Sequence, residues 1–216
     1  LRKDIKTDGR HAIVEFTEDW KQDAARRDFT FNTLSATPDG MVFDYFNGIQ
    51  DLANRVIRFV GRAPERIEED YLRILRYFRF IATIGMRVES KTEFLACVNR
   101  ASKLKELSAE RIRSELFKIL NSNMPLDIMP LMYQQGVLQV IVPHVTAPEK
   151  LRQLAWLETS AMNFASVGRD PLRRLAALVA TDESGVQDIT DALRLSKAEH
   201  KRLTNMIAPT SNLRWN

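Results

Sequence analysis

A single cysteine, Cys97, stands in the whole sequence. That excludes an intrachain disulfide and leaves a cysteine-based metal site without ligands. No apolar run approaches the roughly 18–20 residues that span a bilayer, and Leu1–Lys6 lack the basic, apolar and small-residue regions of a secretion signal. The histidines, His11, His144 and His200, are too scattered for a metal site and read as surface or loop residues. No two glycines are adjacent, and no Asp-x-Asp occurs. Internal repeats and low-complexity tracts are missing as well. The shortage of thiols suits a reducing compartment, and the expectation is a cytoplasmic protein with no membrane partner.

What is present is an ordinary globular composition, 44% hydrophobic and 28% charged, with a net charge of +4. The field is weakly basic and permits a phosphate-rich partner without requiring one. The distribution is more telling. Arg55, Arg58, Arg62, Arg66, Arg73, Arg76 and Arg79 crowd into one stretch. Arginine offers a planar fork suited to phosphates and base edges, although Glu65, Glu68, Glu69 and Asp70 could equally make this a paired, solvated face.

The pattern changes near residue 60. Before it, short apolar runs alternate with turn signals. Ala12–Phe16, Met41–Phe46 and Val56–Val60 read as strands, with a hairpin turn at Pro38-Asp39-Gly40. Beyond it, apolar residues recur at helical spacing. Pro64 opens a helix whose inner face carries Ile67, Tyr71, Leu72, Leu75, Phe78 and Ala82, and Gly85 ends it. Further helices are expected at 91–100, 108–121, 125–135, 149–166, 171–181, 186–195 and 197–207. Leu107, Ile112, Leu116, Ile119 and Leu120 should line the inner side of the second of these. Met124, Met129 and Met132 read as core filler and Trp156 as a core residue, while Trp215 could stack on a base. The few strands are too small a set for an independent sheet, so the chain reads as a piece of a longer protein.

Four segments carry unusual chemistry. They are Arg26-Arg27-Asp28-Phe29-Thr30-Phe31-Asn32; Asp44-Tyr45-Phe46-Asn47-Gly48-Ile49-Gln50-Asp51; Glu69-Asp70-Tyr71-Leu72-Arg73-Ile74-Leu75-Arg76, extended to Arg79; and Ser108-Ala109-Glu110-Arg111-Ile112. Asp70, Arg73, Arg76 and Arg79 repeat every three residues, about 300° apart on a helix, and would form a slowly drifting ridge. In this order the segments resemble motifs B, C, D and E of the class II tRNA CCA-adding nucleotidyltransferases, which bacterial poly(A) polymerases share. The likeness is close over roughly residues 1–120 and looser beyond. Thr33 and Asn47 depart from the family's usual alanine and glycine.

The resemblance implies an α+β, mostly α fold: a small β-rich remnant of a nucleotidyltransferase head at 1–60, a helical, nucleotide-reading neck at 61–120, and a partial, tRNA-contacting helical body at 121–216. It implies transfer of CMP and AMP from CTP and ATP to the tRNA 3′ end, with Mg2+ held by an Asp-x-Asp pair behind a Gly-Gly loop. This chain has neither, so the catalytic carboxylates are expected upstream of Leu1, and the chain alone is expected to be inactive and to bind no metal. The nucleotide-binding residues so implied are Arg27, Asp70, Arg73, Arg76 and Arg79. Asp28, Asn32, Asp44, Gly48, Asp51, Glu110 and Arg111 would be structural or hinge residues, with Gly48 supplying permissive backbone angles. Glu15, on a strand behind the absent motif, is a lesser candidate for an extra carboxylate. Alternatives within the superfamily are a poly(A) polymerase or an enzyme adding only C or only A. An alternative of another class is a non-catalytic helical RNA-binding module.

Overall fold

The computed structural model describes residues 1–7, 12–85, 91–122, 125–158 and 168–208. The chain divides into two compact units, Leu1–Leu104 and Lys105–Asn216.

The first unit opens with β1 (Arg2–Thr7) and β2 (Ala12–Phe16), an antiparallel pair whose register slips between Asp4 and Lys6. Helix α1 (Trp20–Ala25) follows, its N-terminus capped by Asp19, whose carboxylate accepts from the N–H groups of Lys21 and Gln22. A 3-10 turn, Thr30–Thr33, leads to the short pair β3 (Ser35–Ala36) and β4 (Val42–Phe43) around the anticipated turn. The run Val56–Val60 is not a full strand. Its Phe59 bridges Phe29, supported by Thr30 N–H to Arg58 O (3.0 Å) and Val60 N–H to Asp28 O (3.0 Å). These bonds clip the second charged segment's successor to the first.

Helices α2 (Gly48–Ala53), α3 (Ala63–Glu69), α4 (Leu72–Ile84) and α5 (Lys91–Asn99) complete this unit. Its core is aromatic. Phe29 packs on Phe59 at 4.7 Å and edge-on to Phe80 at 5.4 Å, while Tyr77 stacks on Phe59 at 6.1 Å. Burying each such ring contributes roughly 1.5–3 kcal/mol, and the rings lock the Asp28–Phe31 segment against α4.

The single helix expected from Pro64 to Gly85 is two. Asp70 leaves the helical region (φ −157°, ψ 106°) and its carboxylate accepts the Leu72 N–H at 3.0 Å. Aspartate competes with the backbone for such donors and so breaks helices from within. The restart shifts the buried face to Ile74, Leu75, Tyr77, Phe78, Ile81 and Ala82, and leaves Tyr71 and Leu72 half-buried. Gly85 ends α4 in the left-handed conformation (φ 71°), as expected.

The second unit is mostly helical in its described residues, with an isolated bridge between Val145 and Val179: α6 (Ala109–Leu120), α7 (Pro125–Gln134), α8 (Val137–Ile141), α9 (Glu149–Trp156), α10 (Pro171–Ala176), α11 (Glu183–Leu193) and α12 (Lys197–Ile207). Ile112, Leu116, Ile119 and Leu120 are buried on α6, and Met129 and Met132 on α7. Met124 and Trp215 lie outside the described residues. Trp156 is a correction: it is 58% exposed, because the buried face of α9 runs through Leu151 and Ala155 and the next residue turns outward. No helix among the described residues is long and apolar enough to cross a membrane.

Candidate nucleotide-reading site

Three arginines of α3 and α4 converge on residues 26–28. Arg66 donates through Nη2 to the carbonyls of Arg26 and Arg27, both at 2.7 Å, and through Nη1 to both Glu69 oxygens at 2.8 and 2.6 Å. Arg73 donates through Nη1 to Glu69 Oε2 (2.7 Å) and to Arg66 O (2.6 Å). Its Nη2 reaches Arg26 O only at 3.5 Å, the limit of a hydrogen bond. Arg76 donates Nε to Asp28 Oδ2 at 2.5 Å. Glu69 thus holds two guanidinium groups, each only 13% exposed.

Asp28 is buried, and its other oxygen accepts from Asn32 Nδ2 (2.8 Å) and from the Phe29 N–H (3.0 Å). Burial pushes this carboxyl up, but the Arg76 hydrogen bond and charge, with the Asn32 and Phe29 donors, outweigh it and hold it below the usual aspartate range. Arg79 does not follow the ridge toward Asp28. Its guanidinium lies 4.2 Å from the centroid of the Phe80 ring, with Arg76 at 5.7 Å from the same ring. Arg27 is more open: it reaches Asp23 at 3.4 Å and Asn32 O at 3.3 Å, and its side chain is 44% exposed.

Asp70 sits at the break between α3 and α4, not on the same helix as the arginines. It remains in one turn with Arg73, whose N–H donates to Asp70 O at 3.1 Å. The two residues are therefore tied to each other by a backbone bond.

The second segment builds a rigid corner. Asp44 accepts from the N–H groups of Phe46, Gly48 and Ile49 at 3.2, 2.8 and 2.9 Å. Burial opposes ionisation, but these donors prevail and lower its pKa. Asp51 accepts the Thr30 hydroxyl at 2.7 Å and Arg58 Nε at 3.2 Å. Gly48 does not serve through unusual angles. A Cβ there would lie 2.3 Å from Thr30 O, so only glycine lets α2 approach the 3-10 turn. The left-handed residue is Asn47, at φ 58°.

Glu110 is exposed and Arg111 half-buried on the first turn of α6. The buried acid of that segment is Glu115, 2.9 Å from Lys118. Asp23, paired with Arg26 at 2.8 Å, was not anticipated. Its i, i+3 spacing to Arg26 was the available signal. Glu15 and His11 lie outside what the structure describes at side-chain level. Of the other histidines, His144 meets Asp188 at 2.8 Å and His200 meets the Thr190 hydroxyl at 2.8 Å.

Residues 1–58 match the family described as "Poly A polymerase head domain", and residues 85–147 match "Probable RNA and SrmB- binding site of polymerase A". The mitochondrial CCA tRNA nucleotidyltransferase 1 of Mus musculus is 43% identical over 201 residues, which is 92% of this chain. The chain belongs to the poly(A) polymerase and CCA-adding tRNA nucleotidyltransferase family. Among solved structures it is similar to the Bacillus stearothermophilus CCA-adding enzyme in complex with CTP (TM-score 0.73, 28% identity, 94% of this chain and 49% of that one). It is also similar to the Thermotoga maritima CCA-adding enzyme complexed with tRNA-CCA (TM-score 0.66, 29% identity, 85% and 47%). The chain spans about half the length of the relatives it matches; for the mouse protein the share is 45%.

Metal chemistry in this family needs clustered carboxylates. Among the described residues no group of three or more His, Cys, Asp or Glu could hold a metal ion, and the sequence has no Asp-x-Asp. Asp28, Asp44 and Asp51 accept from protein donors instead. The described residues do not fit such a metal site.

Proposed function

We propose that this chain is the base-selecting part of a tRNA nucleotidyltransferase that transfers CMP and AMP from CTP and ATP to the tRNA 3′ end. The reading carries with it Mg2+, held by carboxylates other than those described, and a head, neck and body at 1–60, 61–120 and 121–216. A cytoplasmic setting belongs to it too, although the mammalian relative is mitochondrial.

One observation supports the reading most. Asp70 and Arg73 are joined in a single turn, and Arg73 keeps Nη2 in only marginal contact with the protein. An aspartate only accepts hydrogen bonds and an arginine only donates. Cytosine and adenine each present an amino donor beside a ring-nitrogen acceptor. Asp70 suits the amino group and Arg73 the ring nitrogen. Uracil and guanine present a carbonyl and a ring N–H at those positions and oppose both groups. Each mismatch left buried costs about 1–3 kcal/mol, so two give roughly thirtyfold discrimination or better. Arg27, Arg76 and Arg79 supply positive charge for the triphosphate or ribose.

The test is incorporation on tRNA lacking its 3′ end by the full-length enzyme. Arg73→Ala should lower the CTP-to-UTP ratio of kcat/KM at least tenfold while weakening triphosphate binding less. An unchanged ratio would defeat the assignment.

A further inference from the structure

Arg66 is outside the base-reading pair, yet it is the most heavily engaged side chain around it. Two of its nitrogens make four bonds: two to Glu69 and one to each of the carbonyls of Arg26 and Arg27. Glu69 Oε2 is shared, at 2.6 Å from Arg66 and 2.7 Å from Arg73. The Arg66 carbonyl accepts from the same Arg73 nitrogen at 2.6 Å. Arg66 therefore touches Arg73 twice over, once through the Glu69 carboxylate and once through its own backbone.

The chemistry of this arrangement is a competition. Glu69 sits between two cations and attracts both. Burial and the like charge of Arg73 push the Arg66 guanidinium below its ordinary pKa, while Glu69 opposes the change. With Arg66 in place, Glu69 is shared between the two guanidiniums, and the carbonyls of Arg26 and Arg27 are filled by Nη2 of Arg66. Arg73 is left holding the complex by Nη1 alone, and its Nη2 edge stays only loosely held at 3.5 Å. Remove Arg66, and among the described protein donors to Glu69 and the two vacated carbonyls only Arg73 is left. Glu69 is 35% exposed and the two carbonyls are only partly covered, so water can serve them in part, but the Arg73 guanidinium, already at Glu69 and 3.5 Å from Arg26 O, is the nearest charged donor to fill the gap.

We propose that Arg66 is a positioning residue for base choice: it occupies the acceptors of Glu69, Arg26 and Arg27 so that the Nη2 edge of Arg73 is kept for the nucleobase. The proposal rests on the base-reading role of Arg73 given above. A lysine at 66 would keep the charge beside Glu69 but not the planar fork that serves two carbonyls at once, so it should restore the effect only in part.

The experiment compares CTP and UTP incorporation by the full-length enzyme on tRNA lacking its 3′ end, with thermal unfolding as a check on folding. Arg66→Ala should lower the CTP-to-UTP ratio of kcat/KM at least tenfold. Arg66→Lys should lower it about three- to tenfold while remaining folded. Arg62→Ala, which removes an exposed pair with Glu65 at 2.7 Å, should leave the ratio within twofold of wild type. If Arg66→Ala does not fold, Arg66→Lys decides. A Lys variant within twofold of wild type, alongside an Arg73→Ala variant that has lost selectivity, overturns the role of Arg66 alone. Retained selectivity in Arg73→Ala itself overturns the reading beneath it.

Discussion

At the residue scale, the site is a set of carboxylates and guanidiniums paired with one another, in which Arg66 Nε has no hydrogen-bond partner among the described residues. Asp28 illustrates the energetics. Its carboxylate is buried with three donors on it, and removing one partner of such a pair costs about 3–5 kcal/mol. Asp28→Asn should destabilise by about 3 kcal/mol at pH 7, measured by urea unfolding. Because the folded pKa is depressed, the stabilisation is complete above the unfolded aspartate value of about 4 and is lost as pH falls through the folded value. The wild-type advantage over Asp28→Asn should therefore shrink below about pH 4, and a constant difference would contradict this. Tyr77 is the opposite case. Its hydroxyl is buried with no hydrogen-bond partner among the described residues, and burial pushes its pKa up. Tyr77→Phe removes an unsatisfied group without changing shape. It should leave stability unchanged or raise it by up to about 1 kcal/mol, as read by thermal unfolding.

At the element scale, helical periodicity was legible and the interruption of a helix was not. The apolar spacing located α4 through α7, and glycine correctly marked the end of α4. The same spacing ran through Asp70 because Ile67, Leu75 and Phe78 stay in phase across it. The signal against continuity was chemical: an aspartate whose carboxylate could take a nearby N–H, as it does from Leu72. Gly48 was legible as special but for a different reason than angle, since close approach to Thr30 depends on a contact that sequence does not display. Buried acids were the least visible. Glu158 pairs with Arg173 at 2.5 Å and with Arg174 at 2.8 Å, partners 15 and 16 residues away. Arg174 is 1% exposed and also donates to the carbonyls of Leu120 and Ser122 at the end of α6. One side chain thus satisfies a helix C-terminus and a buried carboxylate. Arg174→Ala should cost about 3–5 kcal/mol in unfolding free energy; a loss under about 1 kcal/mol would show that the network relaxes without it.

At the scale of the whole molecule, the mostly helical fold with a small β-rich start could be read from the change in patterning near residue 60, and the ordered motifs pointed to the family. The ion-pair geometry could not be read, because Arg66, Arg73 and Arg76 meet residues 26–28 across some forty positions of sequence. That convergence lies within the Leu1–Leu104 unit and brings the first and third charged segments together. The central claim is that Asp70 and Arg73 act as a template for the nucleobase edge. Its most direct test pairs the full-length enzyme and Asp70→Ala with CTP and with a CTP analogue lacking the 4-amino group, in a double-mutant cycle. Wild type should prefer CTP by about 10- to 100-fold, equivalent to the roughly 1–3 kcal/mol of one unsatisfied partner, and Asp70→Ala should treat the two alike. An equal preference for CTP in both proteins would contradict the claim.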